Sequence, residues 1–319
     1  IHAVEVPTPE KALPCAERIP VNTPGAGHLV HMPTHLYLRL GRWADAIEGN
    51  VRAAAVDHAY VEAAAPDGFY PALYVPHNVH FLSFAASMMG DRERAVRWAR
   101  ETAALLPLDR ARAFPPLQSW VPLPALTLAR FGRWEEVLRE PAPPADLAGA
   151  HALWRYARGR ALAATGSLDE AQAEAAAVAA AAEAYPEGQL LGGAAQGRQV
   201  LGVAAAVLQA DLEARGGDLE RAIPTLRRAV ALEDAIPYME PPDWAEPVRP
   251  RLGELLLRAG RPAEAAAVFR EDLRRFPENG WSLHGLARSL RAQGDEAGAR
   301  DAEARLARAW AGDAEPVAP

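Results

Sequence analysis

Cysteine is almost absent: Cys15 is the single one among 319 residues, which excludes an internal disulfide and favours a reducing compartment. The expected state is a free, buried thiol, and with no base assigned beside it a cysteine nucleophile is not expected. Long apolar runs are missing as well. A bilayer span takes about 20 consecutive apolar residues, and the alanine-rich stretch from Ala171 to Ala184 is interrupted by Gln172, Glu174 and Glu183. No membrane span is expected. Charge of one sign is nowhere concentrated: 34 Lys and Arg stand against 41 Asp and Glu, without the basic stripe that tracks phosphates, so nucleic acid is not an expected partner. A Walker-type phosphate loop, a dinucleotide fingerprint and a G-x-S-x-G elbow are also lacking. The sequence opens at Ile1 with neither methionine nor signal-like segment. The expectation is a cytoplasmic protein, with export left open because a preceding region is expected to be missing.

What the chain does have is apolar surface, half of its residues being hydrophobic, and a repeat. "LGRWADAI" (Leu40 to Ile47) returns as "MGDRERAV", "FGRWEEVL", "TGSLDEAQ", "GGDLERAI", "AGRPAEAA" and "QGDEAGAR". Each is a glycine turn between two apolar-periodic segments, the mark of stacked helix pairs. Five residues after the glycine comes a small side chain, Ala46, Ala95, Ala171, Ala222, Ala265 or Ala299, with Val137 the exception. Two helices are expected to approach closely at each.

This pattern resembles the tetratricopeptide repeat, a 34-residue unit of two antiparallel helices with glycine in the turn, alanine early in the second helix and often proline at its end, where Pro24, Pro107 and Pro277 stand. The resemblance implies an all-α fold, a right-handed α-solenoid of antiparallel helix pairs. Units then start near Gly27, Pro76, Gln118, Ala152, Val203, Glu246 and Gly280. The chain divides into a truncated unit over residues 1–26, histidine-bearing units over 27–151, and further units with a C-terminal cap over 152–319. Two interruptions, Ala59 to Tyr74 and Ile236 to Pro250, are expected as inserted loops and possible lids. "IHAVE", "GAGHLVHMPTHLYLRLGRW", "PHNVHF", "YMEPPDW" and "FPENGWSLHGLARSL" together look like a group of longer bacterial tetratricopeptide proteins.

The nine histidines are unevenly placed: His28, His31 and His35 are spaced by three and four residues, and His77 and His80 by three. In the tetratricopeptide numbering they occupy positions two, five and nine of one unit and two and five of the next, positions that in such proteins line the concave face. At about 100° per residue the first three project within roughly 60° of one another, but His28 and His35 lie about 10 Å apart along the axis. First helices of adjacent units pack about 8 to 10 Å apart, so His28, His31, His77 and His80 are expected to converge. A second cluster is expected from His2, Glu5 and His35, with Glu48 or Asp57 nearby. Pro33 is a potential break in the first stretch, which would leave His28 and His31 in a turn.

Neutral imidazoles with one carboxylate suit a transition metal, Zn, Cu or Fe, better than Ca²⁺ or Mg²⁺. The first functional expectation is therefore metal binding, and with an open coordination position a hydrolytic or oxidative metalloenzyme acting on a small molecule. Glu5 would serve as ligand or general base, and Tyr74 and Trp244 would line the pocket. Tyr37, at a packing position of the repeat, is discounted. The alternative is a non-catalytic scaffold holding a peptide or partner protein in its groove, with contacts from Tyr156, Arg160, Trp281, His284 and Arg288. His58 and His151 are expected to be structural or solvated, and the loop carboxylates Glu240, Asp243 and Glu246 to be solvated or helix-capping.

Overall fold

In a computed structural model of the chain, which describes residues 1–2, 5–6, 8–65 and 68–312, helices account for the regular structure and no strand occurs among the described residues. The fold is all-α, built from antiparallel helix pairs. In chain order the helices are α1 (Pro9–Ala16), α2 (Ile19–Asn22), α3 (Gly27–His31), α4 (Pro33–Arg39), α5 (Trp43–Ala64), α6 (Val75–Met88), α7 (Arg92–Ala104), α8 (Leu108–Ala113), α9 (Leu123–Arg130), α10 (Trp134–Arg139), α11 (Ala148–Thr165), α12 (Leu168–Ala184), α13 (Gly197–Arg215), α14 (Leu219–Asp234), α15 (Val248–Arg258), α16 (Pro262–Arg275), α17 (Gly280–Arg291) and α18 (Glu296–Ala309).

The repeated octapeptides explain the pairs. Gly41, Gly90, Gly132, Gly166, Gly217, Gly260 and Gly294 all take positive φ, the left-handed conformation that ends one helix and starts the return. Where aspartate follows, it caps the next helix, Asp91 accepting from the Arg94 N–H and Asp218 from the Arg221 N–H, each at 3.0 Å. The small residues five positions on are fully buried in every pair, Val137 included. At such contacts a larger side chain would force the helices apart.

The chain forms two compact units. One comprises Ile1–Leu105, Arg270–Arg291 and residues 295–312; the other comprises Leu106–Phe269 with Ala292–Gly294. In the first unit the last helix pair of the chain packs with the first pairs. The indoles of Trp281 and Trp43 donate to Ser87 O (2.9 Å) and Glu278 O (3.2 Å), and the Ala311 N–H donates to Met89 O (2.8 Å). Local periodicity carries no information about such contacts, between residues 194 to 235 positions apart.

Two expectations of inserted loops are corrected. From Ala59 the chain continues helical through α5 to Ala64, and Tyr70–Tyr74 form a π-helical turn that runs straight into α6; Pro66 and Asp67 lie outside the described residues. "VRAAAVDHAYVEAAA" is rich in alanine and free of glycine and proline, so nothing local stops the helix at the length of a repeat. The second interruption, in the other unit, is a loop only as far as Pro247, where α15 begins at Val248, and it is not a lid. The Asp243 carboxylate accepts from the N–H groups of Gly193, Ala194 and Ala195 at 2.7 to 2.8 Å, and Trp244 is buried.

Candidate metal centre

The first unit gathers five of the nine histidines around the junction of α3, α4 and α6. Pro33 supplies no N–H and so divides the first histidine stretch into α3 and α4, yet Met32 between them keeps helical dihedrals (φ −50°, ψ −37°). His31 and His35 therefore remain one turn apart on the same face, with their Nε2 atoms 2.9 Å from each other. From α6, His77 brings its ring to 4.9 Å from that of His31 and 6.0 Å from that of His35. One ligand atom from each of His31, His35 and His77 fits within a 4.8 Å cluster, and so does a second set from His2, Glu5 and His35.

Close approach of the elements has identifiable causes. A Cβ on Gly27 would fall 1.9 Å from Asp57 Oδ1, so only glycine lets α3 lie this close to α5. Asp57 in turn accepts from Tyr70 OH and Asn78 Nδ2, both at 2.7 Å, and Tyr70 OH accepts from the His28 N–H at 3.2 Å. Phe81 lies one turn beyond His77 and places its ring against His31, His35 and His77 at centroid distances of 4.5, 4.8 and 4.9 Å. The cluster thus has an apolar wall.

Asn50 orients the central imidazole. Its Nδ2 donates to Ala46 O at 2.8 Å, which turns Oδ1 toward His31 Nδ1 at 2.6 Å. His31 Nδ1 must then carry the hydrogen, leaving the Nε2 lone pair facing His35 Nε2. A carbonyl or amide oxygen holding the distal nitrogen of a histidine is the usual support of a metal ligand. Thr34 Oγ1, 3.2 Å from the same Nδ1, adds a contact on that side.

Burial also keeps the imidazoles neutral. It lowers His28 and His35 to about 4, with like-charge repulsion from His35 and His2 adding to the effect at His28 and Glu5 opposing it at His35. Burial and the neighbouring histidines push His31 and His77 well below the ordinary value, against the Asn50 contact at His31. Deprotonated nitrogens are the form that binds a metal. One further donor stands beside them: His28 Nδ1 is buried without a hydrogen-bond partner, and its ring lies 5.3 Å from His31 and 6.3 Å from His77.

Not every expected member joins. His28, His31, His77 and His80 were expected to converge, but the close set is His31, His35 and His77. His80 is buried elsewhere on α6, with burial lowering it to about 4. Glu48 is exposed and paired with Arg52 at 3.3 Å, and Asp57 is held by Tyr70 and Asn78. His2 and Glu5 approach at 3.2 Å, Glu5 buried and the His2 side chain 60% exposed, with Glu5 Oε2 3.6 Å from His35 Nδ1. The Tyr74 ring lies tilted against that of His28, with centroids 4.3 Å apart. Tyr37 is buried beneath the Arg42 guanidinium, and Cys15 is exposed rather than buried, because the short α1 turns only Pro9 and Ala16 inward.

The expected groove residues fare differently. In the first unit Trp281 is buried by its bond to Ser87, His284 is half-buried and Arg288 is exposed. In the second unit Tyr156 and Arg160 are fully buried, correcting their assignment as groove contacts. Arg160 pairs with Glu246 (2.7 Å) and Asp211 (3.3 Å), Arg251 pairs with both carboxylates, and Trp244 packs on Tyr156 at 5.3 Å. Burial pushes the Glu246 carboxyl up, but Arg160 and Arg251 outweigh it and bring it down to about 2. Glu240 is buried too, so none of the three loop carboxylates is simply solvated. His151 bonds Pro143 O, and His58 is exposed.

Sequence reasoning passed over Asn50 and Phe81. The available signal was position: Asn50 lies four residues after the small Ala46, on the buried stripe of α5, where an amide needs a partner.

Solved structures similar to the chain include the following. The assembly chaperone of RpL4 (Acl4), residues 1–338, matches with a TM-score of 0.32 and 16% identity, over 92% of this chain and 93% of that one. Yeast Tom70 matches with 0.33 and 12%, over 95% and 82%. The Naa15/Naa10 complex bound to HypK-THB matches with 0.29 and 17%, over 96% of this chain and 41% of that one. No protein-family model matches the chain, and no curated protein does.

Proposed function

We propose that this chain is a helical-repeat binding scaffold whose first unit holds a transition-metal ion through His31, His35 and His77. The observation that carries the reading is the His31 environment: Asn50 fixes its hydrogen on Nδ1 and directs Nε2 into a cluster of neutral nitrogens. An all-nitrogen set with metal–ligand bonds near 2.0 Å suits Zn, Cu or Fe and is poorly suited to calcium or magnesium. Three donors leave a coordination position for the buried, unpartnered His28 Nδ1 or for an incoming molecule. Glu5, at the far side of His35, would then act on the outer edge of the site rather than as the central base.

The scaffold part of the reading is a protein or peptide partner. Of the groove residues drawn from the repeat numbering, His284 and Arg288 on α17 remain at the surface of the first unit, and a partner contacting that helix would meet them. Metal binding in the same unit is compatible with that role.

The test is uptake of Zn²⁺, Cu²⁺ and Fe²⁺ by tag-free protein, measured by elemental analysis after dialysis. The wild type should retain at least one equivalent, and joint replacement His31→Ala and His77→Ala should remove the tightly held ion while leaving far-UV circular dichroism nearly intact. A wild type that takes up nothing, or a double variant that binds as tightly, overturns the proposal.

A further inference from the structure

We infer that the site is dinuclear, with His35 bridging two metal ions through its two ring nitrogens. This rests on the metal-binding reading above and extends it to a second ion at His2, Glu5 and His35. The two ring nitrogens of His35 face different donor sets. Nε2 lies 2.9 Å from His31 Nε2, inside the triad completed by His77. Nδ1 lies 3.6 Å from Glu5 Oε2, inside the triad completed by His2, whose Nδ1 is 3.2 Å from the same oxygen.

The two triads thus share one side chain through opposite ring nitrogens, and His31, whose Nδ1 hydrogen faces the Asn50 amide oxygen, offers its Nε2 lone pair to the inner one.

The protons and charges balance without a redox step. Two divalent ions displace water, His35 gives up its remaining ring proton to solvent, and the resulting imidazolate with the Glu5 carboxylate neutralises two of the four positive charges. Donors about 3.3 Å apart around each ion, the edge of a tetrahedron with bonds near 2.0 Å, are within small side-chain adjustments of the present spacing. The two positions differ in access. Phe81 walls the inner one, whereas the outer one ends at His2, whose side chain is 60% exposed. The outer ion should exchange the more readily.

The experiment uses the whole chain. Zn²⁺ titration by calorimetry should give two equivalents for wild type and one for both His2→Ala and Glu5→Gln, the former replacing an exposed side chain and so safe for folding. With two equivalents of Cu²⁺, magnetic coupling through the bridge should suppress most of the low-temperature electron paramagnetic resonance signal in wild type. Each variant with its single Cu²⁺ should show a full uncoupled signal. One equivalent in wild type, unchanged in both variants, overturns the bridge and leaves the inner site standing. Two uncoupled ions also overturn the bridge, and no uptake at all overturns both readings.

Discussion

The Asn50 side chain divides its amide between Ala46 O and His31 Nδ1, and through the second contact it decides which nitrogen of a fully buried histidine is available for chemistry. Removing such a support usually weakens metal affinity by about 10- to 100-fold. Asn50→Ala should therefore lose affinity in that range while keeping helical circular dichroism, as read by competition with a chromophoric chelator. Unchanged affinity would mean that packing against Phe81, not the hydrogen bond, positions the imidazole. The histidines themselves were legible as spacing on a helix face, but their grouping was not. His80 is three residues from His77, a rotation that turns it about 60° off the cluster face, while the fourth residue, Phe81, returns to within about 40° of it. Asn50 carried no legible role, since one amide in "EGNVRA" names no partner until α3 is laid against α5.

At the scale of helices and turns, two glycines form a matched pair. Gly90 and Gly260 both take φ of 71°, but a Cβ on Gly90 would lie 2.1 Å from the Trp310 ring, whereas nothing lies within 4 Å of one on Gly260. Gly260→Ala thus meets only the left-handed backbone penalty, about 1 kcal/mol. Gly90→Ala adds overpacking of about 1 to 3 kcal/mol, for a total near 2 to 4 kcal/mol. Urea denaturation of the two variants should show that difference in midpoint, and equal losses would mean that Trp310 moves aside freely. The turns were readable because glycine, aspartate and a small residue recur at fixed offsets. Helix ends not marked by that signal were misplaced, as at Ala64, where alanine-rich sequence extends α5 beyond the repeat length. The packing of Trp281 and Trp310 with the first helix pairs was hidden for a different reason: it is set by long-range contact, which leaves no period in the sequence.

For the molecule as a whole, the two units answer acid through different groups. In the first unit, His80 is buried neutral at about 4 against an ordinary 6.5, a difference worth roughly 3 kcal/mol, and His31 and His77 are lowered in the same direction. The unfolded chain then binds more protons than the folded one between those values, so the stability of this unit is full above pH 6.5 and falls as pH drops toward 4. In the second unit the leading group is Glu246, held at about 2 by Arg160 and Arg251 against an ordinary 4.5. Its contribution is full above pH 4.5 and is lost only as pH falls from there toward 2. With total stabilities typically about 5 to 15 kcal/mol, the histidine contribution is large enough to open one unit first. Hydrogen exchange of metal-free protein at pH 5, corrected for intrinsic rates, should show peptides of α3 to α7 losing protection relative to pH 7 while those of α11 to α15 keep theirs. Earlier or equal loss in α11 to α15 would show that the buried histidines do not govern the acid limit. Bound metal should reverse the change in α3 to α7, because a ligated imidazole competes against its proton for the same lone pair.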